Sequence, residues 1–226
     1  MNDSIGQPVL RREDDRLLRG NSRYVADLQL SHQLHARFVR ATVARGQVTR
    51  IDTSEAEALP GVVAVLTADD PELGTIRIVA SSTQKTHIET PQPLLTRQIR
   101  YLGEAVGVVV AINRYIAADA AALIEIDYET EPVHVDGLAA ALDPQPPVHP
   151  HAPDNVLIHR TFDTGGIDES LANAPVVVDA EFRTNRQTAA PMEGRALLAD
   201  YDAGRRHLTV HASHQSPHLL RWGLAP

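Results

Sequence analysis

The stretch Ala105-Val-Gly-Val-Val-Val-Ala-Ile-Asn-Arg-Tyr-Ile-Ala-Ala-Asp-Ala-Ala-Ala-Leu-Ile-Glu-Ile-Asp-Tyr128 decides the fold class. Val106 to Ile112 is an apolar run dominated by β-branched residues, which marks a strand buried on both faces. Asn113 is a good helix N-cap, and the Ala-rich residues Tyr115 to Leu123 favour a helix. A second strand follows over Ile124 to Tyr128. This strand–helix–strand order predicts a mixed α/β or α+β body.

Upstream, Leu34 to Val43 alternates imperfectly, as a half-buried strand does, and Gln47 to Ile51 predicts another short strand. Thr53 or Ser54 is placed to cap a helix over Glu55 to Leu59, which Pro60-Gly61 ends before a strand over Val62 to Leu66. Ile5 to Asp27 is charged and has no sustained period, so it predicts an extended arm or a partly ordered tail. Pro71 to Pro93 reads mostly as loop, with a polar middle at Ser81 to Thr86.

Downstream, Asp143 to Pro153 is proline-dense and predicts an extended run between domains. Beyond it, a strand is predicted near Val156 to Thr161 and a short helix near Ile167 to Asn173. A long strand follows over Val176 to Arg186. Arg195 to Tyr201 and His207 to Ala212 predict a hairpin turning at Asp202-Ala203-Gly204. A helix begins at Pro217 with little to pack against, so a further segment is expected to complete this part. The expected division is an arm over 1–27, a first domain over 28–135, a linker over 136–154 and an incomplete second domain over 155–226.

The chain has 226 residues, 43% hydrophobic but only 4% aromatic, so its core should be aliphatic. A formal net charge of −8 argues against a nucleic-acid binder, which needs clustered cations. The Arg11 to Arg19 run is interleaved with Glu13, Asp14 and Asp15 and reads as a mixed-charge surface. The absence of cysteine excludes disulfides, thiolate zinc sites and Cys-ligated iron–sulfur clusters in this chain. With no signal-like N-terminus and no apolar run of membrane-spanning length, a cytoplasmic protein is expected.

Eleven histidines raise the question of a metal-dependent hydrolase. His149-Pro-His151 has no third ligand nearby and reads as linker residues. His207, His211, His214 and His218 would form a stripe on one helix, but this stretch reads as strand, so they do not share a face. Gly165-Gly166 and Gly103-Glu104 lack the surroundings of a phosphate-binding loop, and no serine sits in a nucleophile elbow. No metal site and no self-contained active site is expected.

Several motifs are similar to the large subunits of the xanthine dehydrogenase/aldehyde oxidase molybdenum hydroxylases, especially the carbon monoxide dehydrogenase-like members. They run in family order. The opening Gly6-Gln-Pro8 through Arg12-Glu13-Asp14, Gly20, Tyr24 and Asp27 comes first. Leu34-His35-Ala36-x-Phe38-Val39-Arg40, Leu59-Pro60-Gly61-Val62, Arg100-Tyr101-x-Gly103-Glu104 and Ala118-Asp119-Ala120-Ala121 follow. The resemblance implies an α+β fold: an α/β hammerhead domain followed by the incomplete start of a molybdopterin-binding domain.

Pro191-Met192-Glu193-Gly194-Arg195 and Ser213-His214-Gln215-Ser216-Pro217 resemble two segments of that second domain. The resemblance implies that Gln215 lies near molybdenum, within hydrogen-bond reach of an oxo ligand. It implies that Glu193 is a weaker site residue, anchoring a strand rather than acting as a base. It also implies a molybdenum–molybdopterin cofactor, hydroxylation with water-derived oxygen, and electron transfer through iron–sulfur and FAD subunits. The remaining molybdopterin-binding segment would be a further partner. The chain departs from the family pattern at Ala41-Thr42, where Ser-Pro is usual. The family's Phe-Gly segment and its C-terminal glutamate base have no counterpart in these 226 residues. A truncated product and a split subunit are both open on this reading, as is a hammerhead interaction module without chemistry of its own.

Overall fold

The computed structural model describes residues 5–71, 73, 77–78, 92–157, 159 and 161–224. They fall into two compact units, His32–Phe182 and a smaller one that joins Met1–Ser31 to Arg183–Pro226. The N-terminal arm is more ordered than its composition predicts. It forms helix α1 (Asp14–Leu18) and a 3-10 turn over Val25–Asp27. Ion pairs Arg11–Asp14 and Arg19–Asp15, at 2.6 and 2.7 Å, lie at helical spacing along α1.

The larger unit contains β1 (His35–Arg40), β2 (Gly46–Asp52), α2 (Ser54–Ala58), β3 (Val62–Thr67), β4 (Arg77–Ile78) and β5 (Gln92–Pro93). β6 (Gln98–Ile99), β7 (Ala105–Ala111), α3 (Arg114–Ala122), β8 (Glu125–Thr130), α4 (Gly137–Leu142) and α5 (Ile167–Ala172) follow. β7 is the middle strand of an antiparallel sheet ordered β1-β7-β3. Val109 stands opposite Arg37 on one side and Val65 on the other. A second sheet is ordered β6-β2-β8.

The aliphatic core is built on Val39, Val48, Ile99, Val106, Val109 and Ala120. Asn113 caps α3 as expected, its Oδ1 accepting from the Tyr115 and Ile116 amides at 3.0 and 2.9 Å. Gly61 ends the α2 turn at φ +94°, and a Cβ there would meet Ile116 Cδ1 at 2.7 Å. The backbone conformation therefore favours glycine, and a side chain there would also have to displace the Ile116 tip.

At α2 the cap differs from expectation. The Thr53 hydroxyl donates to Glu57 at 2.6 Å, while the Asp52 carboxylate accepts the Ser54 amide and hydroxyl. A carboxylate is the stronger acceptor, so it takes the donors at this helix start. The loop expected over Pro71 to Pro93 lies mostly outside the described residues; within it Arg77 pairs with Pro93 and Ile78 with Gln92.

The proline-dense segment folds back in turns instead of running extended. Arg45, 7% exposed, donates to the Pro146 and Pro147 carbonyls at 3.0 and 2.8 Å and pairs with Glu131 at 2.9 Å. Asn155 accepts from the Val148 amide and donates to the Ala140 and Pro144 carbonyls. Proline cannot donate, so side chains from elsewhere supply the missing donors. Just before this segment, Asp136 caps α4 by accepting from the Leu138 and Ala139 amides.

The described residues of Val156 to Thr161 form no strand, and neither does Val176 to Arg186. Val176, Val178 and Phe182 are 77%, 83% and 87% exposed. β-propensity alone does not make a strand; a ladder of backbone bonds with a neighbouring segment does.

The smaller unit continues with β9 (Leu197–Asp202) and β10 (His207–Ala212), an antiparallel hairpin, and α6 (Pro217–Leu224). No described helix is long and apolar enough to cross a membrane.

Two measurements test the larger unit. Ile99 is fully buried, so Ile99→Ala should lower its unfolding free energy by roughly 2–5 kcal/mol in a urea titration. His149 is held below the usual imidazole pKa by burial, with Arg100 and His151 adding to the effect. The fold therefore favours neutral His149, and its contribution is present above about pH 6.5 and is lost as pH falls below it. His149→Gln should flatten the drop in urea midpoint on acidification from about pH 7.5 to about pH 5; an unchanged drop would refute the assignment.

Candidate functional site

The hairpin β9–β10 holds both sequence-predicted site residues at its open end, Glu193 just before β9 and Gln215 just after β10. The turn at the other end is fixed by Asp202, whose Oδ1 accepts from the Arg205 amide at 3.0 Å. At the open end the ladder runs one pair beyond Leu197 and Ala212, with the Ser213 amide donating to the Ala196 carbonyl at 3.0 Å. The return bond is unusual: the Ala196 amide donates to the Ser213 hydroxyl at 2.9 Å, not to a carbonyl. That hydroxyl in turn donates to the Gly194 carbonyl at 3.0 Å. A side chain thus ends the ladder, and the main chain is free to leave the sheet direction.

The chain then turns into α6 within three residues. The Ser216 amide donates to His214 Nδ1 at 3.0 Å, and the Leu220 amide donates to the Ser216 carbonyl at 3.1 Å. Pro217 opens the helix, where its missing N–H costs nothing. Gln215 sits between these anchors, exposed, with no hydrogen bond to any described residue. Its amide is available as a neutral donor and acceptor.

Glu193 is half-buried and already engaged. Its Oε1 accepts from the Val25 amide at 3.0 Å, across 168 residues of sequence. Val25 is the first residue of the 3-10 turn, so this N–H has no partner within the turn. The Tyr24 amide is satisfied by Asp27 Oδ2 at 2.9 Å. The N-terminal arm therefore meets the segment before β9 through a carboxylate-to-amide bond. Sequence reasoning assigned no role to Ser213; its only signal was a serine at the end of a strand, inside a motif read for its glutamine.

Other groups offer less. A groove of about 680 Å³ beside β1, α3 and β8 is lined by Phe38, Ala118, Ala121 and Ile126, with Arg37, Arg40, Thr42 and Tyr128 supplying polar groups, and among the described residues no carboxylate or imidazole faces it. Burial pushes the Glu104 carboxyl up, although its bonds to the Arg100 and Tyr101 amides and the Arg100 charge oppose that. Glu104 is 4% exposed and serves the turn it closes. The His149 and His151 rings lie 5.6 Å apart. Among the described residues, no group of three His, Asp or Glu side chains is placed to hold a metal ion.

The chain is similar to known proteins over most of its length. Residues 19–132 match the aldehyde oxidase and xanthine dehydrogenase a/b hammerhead domain. Residues 148–226 match the molybdopterin cofactor-binding domain. The chain is 39% identical to the nicotine 6-hydroxylase large subunit of Paenarthrobacter nicotinovorans over 98% of its own length and 27% of that protein. It is 33% identical to the carbon monoxide dehydrogenase large chain of Afipia carboxidovorans, over 93% of its length and 27% of the relative. Among solved structures, quinoline 2-oxidoreductase from Pseudomonas putida 86 superposes with a TM-score of 0.82 at 38% identity, over all of this chain and 29% of that one. The chain spans about 27% of the length of these two curated relatives. A hammerhead domain followed by the start of a molybdopterin-binding domain, in this order and over most of its residues, places the chain in the aldehyde oxidase/xanthine dehydrogenase family of molybdenum hydroxylases.

Proposed function

We propose that this chain supplies the hammerhead domain and the opening of the first molybdopterin-binding domain to a molybdenum hydroxylase large subunit. The enzyme hydroxylates an aldehyde, heterocycle or similar carbon centre with water-derived oxygen. The observation that carries this reading is the match to both family domains in their proper order. The names of two relatives, nicotine 6-hydroxylase and quinoline 2-oxidoreductase, favour an aromatic N-heterocycle as substrate. The domain division proposed is an arm over 1–27, the hammerhead over 28–135, a linker over 136–154 and the cofactor domain from 155.

The molybdenum–molybdopterin group supplies the redox chemistry when bound, and the protein supplies orientation and electrostatics. Gln215 fits that division of labour: its amide is exposed, uncharged and bonded to no described residue. One amide does not make a pterin cradle, so the remaining contacts belong to further parts of the subunit. Glu193 is committed to the Val25 amide and serves as an anchor. The relatives are described as a large subunit and as the gamma subunit of a dehydrogenase complex. That supports assembly with the remaining molybdopterin-binding segment and with iron–sulfur and FAD subunits.

A second reading, a hammerhead interaction module without chemistry, draws on the larger unit's own buried core. Purification from the native source separates the two. Co-purifying pterin, molybdenum and redox subunits support the hydroxylase, and their absence supports the module. In the assembled enzyme, Gln215→Ala should lower kcat by about a hundredfold or more, the loss of one aimed donor of roughly 3 kcal/mol. Its unfolding free energy from a urea titration should change by no more than about 0.5 kcal/mol. Unchanged turnover would remove Gln215 from the site.

A further inference from the structure

The open end of the hairpin contains a hydrogen-bonded chain that the cofactor role of Gln215 does not by itself require. It starts at the N-terminal arm, where the Val25 amide donates to Glu193 Oε1 at 3.0 Å. One residue on, the Gly194 carbonyl accepts from the Ser213 hydroxyl at 3.0 Å. The same hydroxyl accepts from the Ala196 amide at 2.9 Å, while the Ser213 amide donates to the Ala196 carbonyl. Ser213 stands two residues before Gln215 and is half-buried, whereas Gln215 is exposed and bonded to no described residue.

An exposed amide cannot orient itself. The backbone that carries it fixes its Cα–Cβ bond and so the space the amide can reach, and this backbone is pinned on its N-terminal side by Ser213. On its C-terminal side Ser216 holds it, through the bond to His214 Nδ1 and the first turn of α6. Ser213 is the firmer pin because its three bonds reach two carbonyls and an amide on the opposite segment. An ordinary ladder pair would use Ser213's own carbonyl and carry the chain straight on. Putting the hydroxyl in that place stops the sheet one residue early and lets the chain bend at His214.

We infer that Ser213 is a positioning residue that sets the direction of the Gln215 amide, with Glu193 extending the same chain to the N-terminal arm. The inference rests on the reading that Gln215 faces the cofactor. Neither Ser213 nor Glu193 touches substrate or cofactor in this scheme; both act through the backbone at 213–216. A precisely held donor matters because a small misplacement of an aimed group can cost roughly a hundredfold in rate.

The test compares Ser213→Thr with Ser213→Val in the full chain. The two share a β-branched shape that a strand end accepts, and they differ in the hydroxyl. Backbone nitrogen relaxation at Gln215 and exchange of the Ala196 amide are the readouts, neither of which needs bound cofactor. Ser213→Thr should keep both near the parent. Ser213→Val should raise Ala196 exchange several-fold, the scale of one lost hydrogen bond. It should also drop the Gln215 order parameter from about 0.85 to below about 0.6. Glu193→Gln, which keeps an acceptor, should preserve protection of the Val25 amide, and Glu193→Ala should lose it.

Equal Gln215 order in the Thr and Val variants would overturn the inference, whatever happens to turnover. In the assembled enzyme Ser213→Val should lower kcat, and adding it to Gln215→Ala should cause no further loss, because the pin acts only through that amide. A further loss in the double variant would also overturn it. If Gln215→Ala leaves kcat unchanged while Ser213→Val still loosens Gln215, the cofactor reading falls and the positioning chain stands.

Discussion

Everything in the larger unit follows from the position of β7. A strand paired on both edges and covered on both faces cannot carry a polar side chain without leaving that group unsatisfied. Ala105 to Ala111 meets the demand with small and β-branched residues, and Val106 and Val109 are fully buried. β1 and β3 then have fixed places on its two sides, and α3, entering directly from its end through the Asn113 cap, can only return across the same layer. The second sheet inherits its position by packing Val48, Ile99 and Ile126 against that core.

The smaller unit is organised differently. None of the residues in β9, β10 or α6 is fully buried, and Leu197, Tyr201, Leu208 and Trp222 are largely exposed. Here hydrogen bonds rather than burial set the geometry, and they concentrate at the open end of the hairpin. That is why a serine hydroxyl and a glutamate carboxylate hold more of the local arrangement than any apolar contact does. Met1–Ser31 is part of this unit, so it is folded as one piece with Arg183–Pro226.

Features whose causes are local could be read from the sequence. The run Val106 to Ile112, the Asn113 cap, the Gly61 stop and the β9–β10 hairpin each depend on neighbours within a few residues, and each is present. What could not be read depends on partners far along the chain. Val176 to Arg186 has the composition of a strand, but pairing is a property of two segments, and composition describes one. The Arg45 bonds to Pro146 and Pro147 span about a hundred residues and end on carbonyls, which every residue possesses and no motif marks. The same holds for the site. Glu193 and Gln215 stood out through their motifs, whereas the bond from Val25 and the hydroxyl of Ser213 gain meaning only once the hairpin exists.

The Arg45 clamp has a consequence of its own. Its guanidinium grips two successive main-chain oxygens, and Asn155 grips two more at Ala140 and Pro144. None of these four acceptors belongs to a side chain. The segment is therefore gauged by its length and not by its spelling: most single replacements between Leu142 and Asn155 leave the acceptors where they were. Inserting or deleting one residue would slide the Pro146 and Pro147 carbonyls out of step with a buried cation, leaving it only the Glu131 carboxylate. Among relatives, this stretch should drift freely in composition while keeping a constant count of residues.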